Sequence, residues 1–95
     1  MTVKAGLLGD PVQHYDGHVG VVVSSSDYVY DNGILVARVN DDVDGHVGSE
    51  HPTSCKITTG SSVLYIDGRP CCKFDSEVDC AGQVKARAIT LYVEP

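Results

Sequence analysis

Tryptophan is absent from this 95-residue chain, and phenylalanine and methionine occur once each. The large side chains that dominate most cores are therefore missing, and small branched ones have to build this one. Basic residues are also few: seven Lys and Arg stand against thirteen Asp and Glu, for a net charge of −6. With no basic run, neither nucleic acid nor an anionic membrane is expected as the main partner. No apolar run approaches the ~20 residues of a transmembrane helix. The apolar stretch after Lys4 is a few residues long. It is too short for a signal peptide, so synthesis in the cytoplasm is expected.

The length predicts a single domain over 1–95. A chain this small buries a modest share of its surface, so a metal or a partner subunit would help to hold it together. Four cysteines are present, Cys55, Cys71, Cys72 and Cys80. Cys71 and Cys72 are adjacent, and on a strand their side chains point to opposite faces. In a reducing cytosol, free thiols or a metal site are expected rather than disulfides.

Fifteen valines against five leucines set the fold class. Short β-branched runs, "VGVVVSS", "DYVYDNG", "ILVARV", "VLYIDG" and "AITLYV", are separated by turn signals and predict an all-β domain. "YDNG" and "YIDG" end on Asn-Gly and Asp-Gly, the strongest short-range hairpin signals. The chain also repeats itself. Residues 21–45 laid over 56–80 match at Ser26/Ser61, Tyr30/Tyr65, Gly33/Gly68, Val43/Val78 and Asp44/Asp79. A shorter third copy begins after Cys80, where "ITLYV" answers "SVLYI". A hairpin cannot bury its apolar face alone, so the copies should pack about a common axis. In "SVLYIDG" both alternating faces are apolar, and one of them is free to meet another protein.

The repeated units end on residues that bind soft or borderline metals. "GDPVQH" ends at His14, "NDDVDGH" at His46 and "DSEVDC" at Cys80, with Asp10, Asp42 and Ser76 four positions earlier. His51 is the natural fourth member, and three imidazoles with one thiolate make a closed tetrahedral zinc site. Such a site contributes folding energy directly, on the order of 10 kcal/mol in small zinc modules. His18, four residues after His14, competes with it, and Cys55 is a rival to Cys80. Against the metal reading stands the ordinary one, in which loop histidines are solvated and a buried cysteine is a small hydrophobe. Catalysis has little support. No histidine is marked as a base for Cys71 or Cys72. Glu50 and Glu77 read as solvated charges rather than as the base of a catalytic zinc.

The pattern of "GDPVQH" (9–14), "DNGILVAR" (31–38) and "TTGSSVLYIDGRPCCKFDSEVDCAG" (58–82) resembles the PAAR-repeat proteins, from about Gly9 to Val93. The resemblance implies a small cone-shaped, three-sided β-prism of pseudo-threefold repeated hairpins with a metal site near the apex. It implies a role as the tip that caps and sharpens a trimeric β-helical membrane-piercing spike, one tip per trimer, in a contractile injection machine. It also implies one structural zinc ion on His14, His46, His51 and Cys80, and so favours His14 over His18. The target-cell envelope would be touched transiently, with no catalysis and no small-molecule substrate. The chain departs from the family pattern where Cys71-Cys72 replaces Ala-Ala, Lys73 replaces Arg, and Asn40-Asp41 and Asp75-Ser76 replace Gly-Asp. With the last strand ending near Pro95 no effector domain is expected, so a phage tail is the preferred setting, with a type VI secretion spike or a generic small zinc-binding interaction module as the alternatives.

Overall fold

The computed structural model describes residues 2–15, 17–44 and 55–95. Twelve short strands are formed: β1 (Val3–Lys4), β2 (Pro11–His14), β3 (Val19–Val22), β4 (Tyr30–Asp31), β5 (Ile34–Leu35), β6 (Asp42–Asp44), β7 (Cys55–Lys56), β8 (Tyr65–Ile66), β9 (Arg69–Pro70), β10 (Glu77–Val78), β11 (Gly82–Val84) and β12 (Tyr92–Val93). No helix occurs among the described residues, in agreement with the all-β expectation.

The two predicted hairpins form as read. β4 pairs with β5 through Asn32-Gly33, and β8 with β9 through Asp67-Gly68. Both residues of each turn have positive φ, 51° and 82° in the first and 55° and 79° in the second. Only a turn with that mirror-image twist matches the twist of the flanking strands, and Asn, Asp and Gly tolerate it best. The third copy is completed in a way the sequence did not suggest. β12 pairs not with a following strand but with β1, Val3 against Val93 and Lys4 against Tyr92. Tyr30, Tyr65 and Tyr92 hold the same place in the three hairpins, opposite Leu35, Pro70 and Lys4.

From each hairpin the chain passes an axial ring. Gly6 N donates to Cys72 O (2.8 Å), Cys72 N to Ala37 O (3.0 Å), and Ala37 N to Gly6 O (2.9 Å). Three equivalent residues thus close a triangle of backbone bonds about one pseudo-threefold axis. The space on that axis is shared unequally. A Cβ on Gly6 would lie 2.3 Å from Cys72 Sγ, so the larger side chain in one unit requires none in another.

Next comes a turn, also repeated three times. Gly9, Asn40 and Asp75 are left-handed, with φ of 87°, 73° and 67°. The following side chains, Asp10, Asp41 and Ser76, are buried and accept from the backbone N–H of Leu7 (2.8 Å), Arg38 (2.7 Å) and Lys73 (2.9 Å). Those bonds replace water for three amides that the turn would otherwise strand inside. Asp41, not Asp42, is therefore the counterpart of Asp10. Asp42 is half-buried and turned outward, where it pairs with Lys56 at 2.6 Å. The register of the middle unit read from "NDDVDGH" was one residue out.

The remaining strands form a small closed barrel. Six run in the order β10-β11-β2-β3-β6-β7. The end strands meet through an Ile57–Val78 bridge, with Thr58 N donating to Glu77 O (2.7 Å) and Asp79 N to Lys56 O (3.0 Å). Among the described residues, this closure covers both edges of the six-stranded sheet, and free edges are the main hazard of a small sheet. Inside lie two threefold layers, Val12/Val43/Val78 and Val22/Ile57/Val84, all buried. A second core, including Leu7, Val36, Ile66 and Val93, sits beneath the hairpins. Valine abundance is explained by these layers: a side chain is needed that is compact, β-favouring and repeated three times around a narrow axis.

Candidate metal centre

The barrel is built of three antiparallel pairs, β2–β3, β6–β7 and β10–β11, and the first and third connections share one end of it with the close of β6 and the start of β7. This end carries His14 as the last residue of β2, His18 on the first connection and Cys80 on the third, while Cys55 opens β7. His46 and His51 belong to the 45–54 segment between β6 and β7 and lie outside the described residues, as does Glu50.

His14 is 2 % exposed, and glycine makes room for it. Gly82 lies opposite His14 across the β11–β2 ladder, where a Cβ would come within 2.8 Å of His14 Cδ2. A Cβ on Gly20 would lie 3.2 Å from His14 Cε1 and 2.7 Å from Asp44 O. Two of the three equivalent places in this layer are thus glycine, and the third is Cys55, opposite Val43. The imidazole points at sulfur, with His14 Nε2 3.3 Å from Cys80 Sγ. Its Nδ1 lies 3.2 Å from the carbonyl oxygen of His18. A carbonyl can only accept, so Nδ1 is the donor in this contact, and Nε2 is the ring nitrogen turned toward Cys80. A backbone carbonyl that holds the far nitrogen in this way is the usual support of a metal-binding histidine. His18 contributes this carbonyl, and its own side chain is exposed.

Cys55 and Cys80 are joined in a disulfide, with Cα atoms 5.9 Å apart. This corrects the expectation that all four cysteines would be thiols or metal ligands. That reading rested on cellular compartment, whereas the fold juxtaposes two chain-distant sulfurs in a layer where the other two units have no side chain. The same pair forms, with Asp79, a group of ligand atoms lying within 4.8 Å of one another, a Cys/Asp/Cys cluster that could hold a metal only with the disulfide reduced. His14 and the sulfur of Cys80 fit a metal site in donor chemistry, burial and orientation, with Cys80 in its thiolate form.

Cys71 and Cys72 are free and buried. Burial pushes the Cys72 thiol up to about 12. Burial, with the charge of Glu94, pushes Cys71 up to about 11. Thiols held this far above neutrality carry almost no thiolate and are poor nucleophiles. Glu77, the other acid weighed as a base, is exposed and donates its backbone N–H to Thr59 Oγ1 (2.8 Å).

Fold and site together define a pseudo-threefold β-cap, closed at one end by the convergence of a histidine and two cysteines. A family profile described as the PAAR motif matches residues 9–86, and the chain belongs to that family. Membership makes it a spike-tip protein of contractile injection systems with a spike as its partner. No curated protein matches it significantly. The matched range covers the first barrel hairpin through the last, and the ring residues Ala37 and Cys72 with it.

Two features of the site escaped the sequence reading. The glycine cradle of Gly20 and Gly82 could be found only by knowing that they share a layer with Cys55. The buried row Asp10/Asp41/Ser76 closes "GD", "ND" and "DS", each one residue before its strand begins and two before that strand's valine.

Proposed function

We propose that this protein is a metal-stabilised, non-enzymatic tip, one copy of which caps a trimer of β-helical spike chains. The observation that carries the reading is the axial ring of Gly6, Ala37 and Cys72: a single chain offers three near-equivalent faces, as a cap on a threefold spike requires. Each face repeats an exposed tyrosine, Tyr30 (59 %), Tyr65 (55 %) and Tyr92 (47 %). Val63, Leu64, Leu91, Tyr92, Val93 and Glu94 line an open groove of about 440 Å³ beside the third of them. Exposed apolar area of this kind is a liability in a free monomer and is covered in a docked one.

At the opposite end, one zinc ion on His14, His46, His51 and Cys80 would tie the three barrel connections together where there is no room for a core. When bound it supplies four strong bonds at the point and no reaction. His14 is held ready by the His18 carbonyl, and Gly20 and Gly82 leave the space its ring needs. The inert thiols of Cys71 and Cys72 support a structural role over catalysis. The sequence reading favours a phage tail as the setting, with a type VI spike as the alternative. Co-expression with the spike encoded nearest to this chain tests the assignment: a complex of one tip per spike trimer is expected, and a failure to bind any such spike would overturn it.

A further inference from the structure

The donors gathered at the barrel end include one that the four-ligand set leaves out. We propose that Cys55 is a metal ligand, and that Cys55 and Cys80 act as a dithiol that holds a thiophilic divalent cation with His14 when reduced and closes to a disulfide when oxidised. The reduced half of this inference rests on the metal-tip reading above.

Three observations carry it. First, position: Cys55 and Cys80 are buried, and their sulfurs lie close enough to be bonded. Two thiolates on one tetrahedral zinc, each about 2.3 Å from it, sit roughly 3.8 Å apart, so a shift of under about 2 Å separates the two states. Second, the imidazole is already placed. Its Nε2 is 3.3 Å from Cys80 Sγ, and ligand bonds of about 2.0 and 2.3 Å at a tetrahedral angle require roughly 3.5 Å. Third, repetition: the layer position of Cys55 is glycine in the other two units, Gly20 and Gly82. Smallness alone would be met by glycine a third time, whereas this unit presents a sulfur to the other two donors. Asp79 is not counted as a ligand, because it is exposed and its Oδ1 accepts from Lys56 N at 3.0 Å.

With Cys55 as a donor, the set becomes two sulfurs, His14 and one further ligand. Binding displaces two thiol protons to solvent and leaves a neutral centre, two thiolates on one divalent cation. Oxidation by a small-molecule disulfide balances without other reactants. The Cys55 thiolate attacks it, forming a mixed disulfide and expelling one small thiolate. The Cys80 thiolate then attacks the Cys55 sulfur, expels the second small thiolate and frees the cation. The point of the molecule is cross-linked in both states, by metal in a reducing cytosol and by disulfide outside the cell.

The test uses the full chain purified under reductant and loaded with Co²⁺, whose thiolate charge-transfer absorption scales with the number of sulfur ligands. The wild type is expected to bind one Co²⁺ with the absorption of two thiolates. Cys55→Ser should halve that absorption and weaken binding by more than the roughly 10–100-fold that loss of an outer-shell partner costs. Adding glutathione disulfide to the zinc-loaded protein should release the metal and yield a Cys55–Cys80 cross-linked peptide by mass spectrometry. Unchanged absorption and affinity in Cys55→Ser would overturn the inference and leave the metal tip standing. A reduced wild type that binds neither Co²⁺ nor zinc would overturn the metal reading itself. Should Cys55→Ser fail to fold, alkylation of the wild type decides. Metal should protect Cys55 as strongly as Cys80, and an equal Cys55 rate with and without metal contradicts its ligation.

Discussion

At the residue scale, the molecule is a set of threefold positions filled asymmetrically, and the asymmetries compensate one another. Gly6 has no side chain because Cys72 Sγ occupies the axis. The Cys71-Cys72 pair that departs from Ala-Ala is thus balanced by a glycine 66 residues away. Gly6→Ala should destabilise the protein by about 1–3 kcal/mol through overpacking. Gly6→Ala with Cys72→Ala, which restores the total volume, should recover most of that loss in a double-mutant cycle read by thermal melts. If the double mutant is the sum of the singles, the two side chains do not share the axis. Asp31 is a second such position: buried, it accepts from Ile89 N, Thr90 N, Leu91 N and Thr90 Oγ1. Burial pulls its pKa upward, but the bonds from Thr90, Leu91 and Ile89 together outweigh it, and the net direction is down. Glu94 is lowered to about 2 by Ser61 first and then the Ser62 amide. A carboxylate whose pKa falls on folding adds stability above its unfolded value, and that stability is lost as pH drops through the folded one. Melting temperature should therefore hold down to about pH 4.5 and fall between there and about pH 2. Glu94→Gln should flatten part of that fall, whereas an identical acid profile would remove Glu94 from the account. Asp31→Ala should cost about 1–3 kcal/mol at neutral pH, because it removes the one buried acceptor shared by four donors of residues 89–91.

At the element scale, the hairpins were the most legible part of the sequence. "DNG" and "IDG" carry their own turn geometry, since few residues other than Asn, Asp and Gly accept positive φ twice in succession. Gly68→Ala, at φ 79°, should cost about 1–2 kcal/mol for that reason, measured by denaturant melts. A loss below a few tenths would show that the turn can relax. Far less legible was the third hairpin, because its strands lie at the two ends of the chain and no local pattern couples Val3 to Val93. Deleting residues 92–95 removes the partner of β1 together with Glu94, which binds Ser61, Ser62 and Lys73 of the neighbouring unit. That truncation should reduce stability more than any single turn substitution. The barrel end was read in part. "GDPVQH" and "DSEVDC" brought forward His14 and Cys80, which do meet. The pairing of Cys55 with Cys80 could not be read, because it depends on a layer register shared by three chain-distant strands.

At the scale of the whole molecule, pseudo-threefold symmetry accounts for the internal repeat, the abundance of valine and the recurrence of exposed tyrosine. A chain with no partner would have no reason to keep three such faces. Replacing Tyr30, Tyr65 and Tyr92 together by Ala should weaken spike binding by at least about tenfold, since buried aromatic anchors dominate interfaces. The melting temperature of the free tip should change little, because these rings are exposed. The central claim is that one chain caps three. It is tested most directly by the stoichiometry of the tip–spike complex in native mass spectrometry. The account predicts one tip per spike trimer, retained in metal-loaded protein and lost with the three tyrosines. Three tips per trimer, or a spike that never takes up the tip, would contradict it.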